Sequence, residues 1–171
     1  MYIYEKNELI KDIKEFHLPK YNEIPNVGLY LEQTSKYISE ALAPLFGGTI
    51  TGSMISNYVK KGIVSNPVKK QYDREQIAHL IFISVVKNVL SMDNIKLAVD
   101  IQKKTYDSEI AYNYFAKELE MLISHIFNTK AIPDYADVNL TDEKHMLRNI
   151  IITVAHKIYL EKYFNLIGEK K

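Results

Sequence analysis

Apolar residues along this chain recur at intervals of three and four rather than two, the mark of amphipathic helices. Glu8 to Phe16 predicts a short first helix, and the two prolines of "HLPKYNEIP" predict the loop that ends it. Leu29 to Leu42 predicts a second helix, with Leu29, Leu31, Tyr37, Ile38 and Leu42 on its packing side, stopped by Pro44 and the Gly47 and Gly48 pair. Thr51 or Ser53 can cap a third helix, running from Thr51 to Lys61, which carries Met54, Ile55, Tyr58 and Val59 on one side. Gly62 then falls where a left-handed residue closes a helix at least cost. The stretch "IVSNPVKKQY" reads as a tight, hairpin-like connector.

From Asp73, a good cap, a helix reaches about Leu90, and its segment "IAHLIFISVV" is apolar on more than one face, as a central helix is. Ser91 opens another helix, with Ile95, Ala98, Val99 and Gln102 on a narrow stripe. Two longer helices follow. One runs from about Asp107 to Phe127. After an acidic loop around Pro133, the other starts at Thr141, with Asp142 and Glu143 matched to its dipole, and ends near Gly168. The fold class expected is all-α, with the last two helices as an antiparallel hairpin. The division expected is 1–104, the shorter helices with an N-terminal extension, and 105–171, a C-terminal pair packed on it that dimerises or receives a signal.

A length of 171 residues suits one compact domain, or one with a helical extension. With no cysteine, disulfides, thiolate metal sites and cysteine nucleophiles are excluded together. The N-terminus is interrupted by acids, unlike a signal peptide, and the longest apolar run is far too short to cross a bilayer. A cytoplasmic protein with no membrane association is expected. His17, His79, His125, His145 and His156 lack metal-ligand spacing, and His79, inside an apolar helix, reads as a hydrogen-bonded core residue. Gly47 and Gly48 lack the lysine and serine of a phosphate loop, and no serine sits in a nucleophile elbow. No enzyme activity, cofactor or metal is expected.

Charge changes the picture more. The net charge is only +1, yet residues 51–72 hold Lys60, Lys61, Lys69 and Lys70 and no acid at all. Thr51, Ser53, Asn57, Lys60 and Lys61 fall on the outward side of the third helix while Met54, Ile55 and Tyr58 face in. A helix lying in a major groove needs that arrangement: small polar residues to approach bases, lysines for the phosphates. A solvated surface is the plainer account of such a run, and the order of elements favours contact.

"YVKKGIV", a brief basic connector, "QYDREQIAHLIFI" and then "LSMDNIKLAV" resemble the DNA-binding half of MerR-type regulators over roughly residues 48–100. The resemblance implies a winged helix-turn-helix. It places Thr51, Ser53, Asn57, Tyr58, Lys60 and Lys61 on the recognition helix, Lys69, Lys70 and Gln71 on the wing, and Arg74 at the start of the next helix. The connector departs from that family in lacking a glycine and arginine-rich tip, and a long N-terminal segment precedes the motif. From "LPKYNEIPNVGLYLEQ" to the final helix, the chain also resembles a bacterial family, domain of unknown function 1836.

The reading that results is a sequence-specific regulator of transcription, homodimeric, with double-stranded DNA as its partner. The alternative keeps the helix-turn-helix architecture as a protein–protein interaction module without DNA binding. A third, a sensor of a small-molecule effector, rests on Tyr112, Tyr114, Tyr159 and Tyr163 in the last two helices, which could line a pocket.

Overall fold

The structure, a computed structural model, describes residues 7, 10–11, 13–14, 16–45, 50–129 and 140–168. Residues 8, 9, 12 and 15 of the first expected helix, the Gly47 and Gly48 pair and the loop around Pro133 lie outside the described residues. Among those described, the chain is mostly helical with one small sheet: β1 (Leu29–Tyr30), α1 (Leu31–Leu42), α2 (Gly52–Lys60), β2 (Gln71–Tyr72), α3 (Arg74–Val86), α4 (Met92–Thr105), α5 (Ser108–Thr129) and α6 (Asp142–Gly168).

Local chemistry sets most of the boundaries. Thr51 Oγ1 accepts from the Met54 amide at 3.2 Å, and Asp73 Oδ1 from the Gln76 amide at 2.8 Å. Ser91 Oγ accepts from the Asn94 amide, and Thr141 Oγ1 from that of Lys144. Each cap satisfies an amide that has no partner within its own helix, and is worth ~1 kcal/mol. Helix α3 ends at Val86, short of the expected Leu90, and the start of α1 also differs from expectation. Leu29 and Tyr30 are not the start of the second helix but an antiparallel strand, pairing Leu29 with Tyr72 and Tyr30 with Gln71. That partner is some forty residues away, so local periodicity carries no trace of it.

The core centres on α3, which is buried all round: Ile77, Leu80, Ile81, Ile83 and Val86 are among its inaccessible residues. Helices α1, α4, α5 and α6 pack around it. One continuous apolar cluster runs from Ile13 to Ile158, so the regions expected at 1–104 and 105–171 share a core.

The last two helices do not form the expected hairpin. Tyr106, just before α5, meets Thr141, just before α6, while Lys144 lies over Tyr114, Arg148 pairs with Glu118, and Tyr159 packs on Phe127. These pairings advance in the same sense along both helices, so the pair is parallel. An apolar stripe fixes which face is buried and says nothing about direction.

Candidate nucleic-acid interface

The basic segment is fixed at four points. Ser35 Oγ donates to the Ile50 carbonyl at 2.7 Å, and Ser39 Oγ to the same oxygen at 3.4 Å, so α1 fixes the chain just before α2. At Gly52 a side chain would meet Glu32 Oε1 at 3.0 Å and Leu31 Cδ2 at 3.2 Å, which brings the first turn of α2 tight against α1. The far end of α2 closes at Gly62 with φ +68°, where the Ile63 amide reaches back to the Tyr58 carbonyl and the Gly62 amide to that of Val59. Gln76 Nε2 then holds the Ser65 and Asn66 carbonyls, at 2.9 and 3.2 Å, and anchors the connector to α3.

Beyond it the chain makes a two-residue hairpin. Val68 and Gln71 exchange both backbone hydrogen bonds, at 3.1 and 2.9 Å, leaving Lys69 and Lys70 alone at the tip. Their φ angles are +50° and +64°. Positive φ at both central positions is the signature of a type I′ turn, which favours Asn-Gly and disfavours most other residues that carry a Cβ. Two lysines here cost ~1 kcal/mol each against that preference. The turn geometry itself gains nothing from lysine.

The sequence-selected residues divide into two groups. Thr51, Ser53, Asn57, Lys60, Lys61, Lys69 and Lys70 are exposed, the first five on α2 or at its two ends. None of these four lysines makes an ion pair among the described residues. The remaining three have other work. Tyr58 is 4% exposed, part of the core, and burial raises its phenol pKa; it presents nothing to a phosphate. Gln71 is half-buried in β2, its Cβ 2.7 Å from where a side chain at Gly28 would begin. Arg74 Nε donates to the Ile24 carbonyl at 2.8 Å and Nη2 to that of Asn22 at 3.2 Å, with the guanidinium over the Tyr21 ring. It ties the N-terminal segment to α3 and is not a free cation.

One cation was missed. Lys96 on α4 brings its Nζ to 4.0 Å from where a side chain at Gly62 would start, adding positive charge at the C-terminal end of α2. It lies outside the basic run, and only the packing of α4 reveals it. Chemically, the surface offers cations without carboxylate partners beside short hydroxyl and amide side chains. The former suit oxyanions and the latter suit hydrogen-bonding edges.

The chain matches the family described as Domain of unknown function (DUF1836) over residues 19–115, more than half its length, and belongs to that family. The match runs from the segment tethered by Arg74 through the basic hairpin into α5, and stops short of α6. No curated protein and no solved structure matches the chain.

Proposed function

We propose that this protein is a sequence-specific DNA-binding regulator of transcription with a MerR-like helix-turn-helix. Helix α2 is the recognition helix and the Val68–Gln71 hairpin the wing. The observation that carries the reading is the hairpin tip, where two lysines occupy left-handed positions that favour Asn-Gly. The order strand, helix, helix, hairpin, helix supports it, as do the exposed Thr51, Ser53 and Asn57 on α2 for base edges. Lys60, Lys61, Lys69 and Lys70 engage phosphates, each one neutralised releasing counterions so that affinity falls with salt. A module this small covers limited DNA, so binding is as a homodimer. The exposed stripe of Leu160, Phe164 and Ile167 at the end of α6 is the surface that joins the copies.

Fluorescence anisotropy with fragments of the protein's own promoter region, at two salt concentrations, tests the reading. Native protein binds with a steep salt dependence, and replacing the four lysines by alanine removes most of the affinity. Unaltered affinity in that variant defeats the mechanism.

A second reading, a protein–protein interaction module, is favoured by Val27, Tyr30 and Val68, exposed apolar residues bordering the strand pair. Co-purification of the same protein partner before and after nuclease treatment supports it. Loss of the partner on digestion returns the weight to DNA.

A further inference from the structure

Helices α3, α4 and α5 and the first turns of α6 enclose a partly open cavity of about 160 Å³. An apolar hole of ~150 Å³ is enough to accept one benzene ring. Its wall is mainly apolar, with Phe82, Ala98, Ala111, Phe115, Leu147 and Ile150 among its lining residues, so a ligand here is largely hydrocarbon and about one ring in size.

The polar groups at the wall are of two kinds. His79 and Gln102 satisfy each other. Gln102 Nε2 donates to the Tyr106 carbonyl at 2.8 Å, which turns its Oε1 towards His79 Nε2 at 3.0 Å, so that nitrogen carries the imidazole proton. Lys144 is different. Its ammonium lies 5.4 Å from the centre of the Tyr114 ring and 6.0 Å from that of Tyr106, and it makes no ion pair among the described residues. Rings beneath it hold the cation at the cavity without neutralising it. Glu143 also borders the cavity, in the first turn of α6. There the positive end of the helix dipole already offsets its charge, leaving Lys144 as a cation with no carboxylate paired to it among the described residues.

We propose that this cavity binds a small monocarboxylic acid with a single aromatic ring or a branched chain of similar bulk, its hydrocarbon between α3, α4 and α5 and its carboxylate against Lys144. The cavity connects to the basic hairpin by a short path. Ser108, on its rim, donates to Glu75 Oε1 at 2.7 Å, and Glu75 lies in the turn of α3 that directly follows β2. On the DNA-binding reading this makes the acid an effector; its binding is measured without DNA, so the two readings fail separately.

Calorimetry and thermal shift on the full chain, with phenylacetate, phenylacetamide and phenethylamine as probes, test the site. Phenylacetate binds with a Kd at or below about 1 mM, raises Tm, and exceeds the amide and the amine by roughly tenfold. Lys144→Gln reduces affinity for the acid to that for the amide, and Ala111→Phe, which fills the hole, abolishes both. Lys144→Gln alters a half-exposed side chain, so it reads the site even where Ala111→Phe does not fold. No binding of phenylacetate, equal binding of acid and amide, preference for the amine, or an acid preference that survives Lys144→Gln each overturns the proposal.

Discussion

Arg74 stands at the edge of the basic segment, yet its donors face protein carbonyls. A guanidinium suits that task because its planar fork reaches two acceptors at once, whereas an ammonium offers a point charge. Arg74→Lys keeps the charge and loses the fork, so urea unfolding should show a loss of ~1–2 kcal/mol, while the salt dependence of the proposed DNA binding should stay unchanged. His79 makes a second prediction. Burial lowers its pKa, only partly offset by the Gln102 hydrogen bond. The native ring therefore stays neutral in a pH range where the unfolded ring, near its ordinary value of about 6.5, takes up a proton. Stability from the neutral ring is complete above about pH 6.5 and is lost as pH falls below it. The urea midpoint should drop between about pH 7.5 and about pH 5.5, and His79→Gln should shrink that drop. Sequence made both residues visible to different degrees. The burial of His79 follows from the apolar residues around it in its own helix, and Tyr58 likewise falls on the inward side of α2. The role of Arg74 depends on carbonyls fifty residues upstream, which no local pattern records.

Elements show the same divide between what is local and what is not. Caps at Asp73, Ser91 and Thr141 could be read directly, and Thr51 as one of two candidates beside Ser53, because a hydroxyl or carboxylate before an amphipathic run acts within its own first turn. Gly62 was legible for the same reason, its positive φ being a requirement of the helix end it terminates. The tight hairpin around Lys69 and Lys70 was legible as a connector, but not the left-handed conformation of its tip, since two lysines carry none of the Asn-Gly signal for such a turn. Strand β1 and the parallel course of α5 and α6 were illegible, both being decided by partners distant in the chain.

At the scale of the whole molecule, the basic helix and hairpin are mounted on a core that continues into the C-terminal helices. Glu118 and Arg148, largely buried and 3.4 Å apart, help lock α5 to α6. The last turns of α6 leave Phe164 62% exposed, with Leu160 four residues before it and Ile167 three after, a spacing that places all three on one face. Analytical ultracentrifugation should find a dimer, and Leu160→Glu with Phe164→Glu should yield a folded monomer with an unchanged helical circular dichroism spectrum. A native monomer, or a dimer indifferent to these changes, removes the stripe from the account.

The most direct test of the central claim replaces the hairpin tip with the residues its geometry prefers, Lys69→Asn with Lys70→Gly. The turn is relieved of strain, so the unfolding free energy should rise by ~1–2 kcal/mol. DNA affinity should fall, and the slope of its logarithm against that of salt should shallow by about 2, one unit for each phosphate that is no longer neutralised. A variant that is more stable and binds DNA with undiminished affinity and an identical slope would contradict the account, because the lysines would then be left without the role that justifies their strained positions.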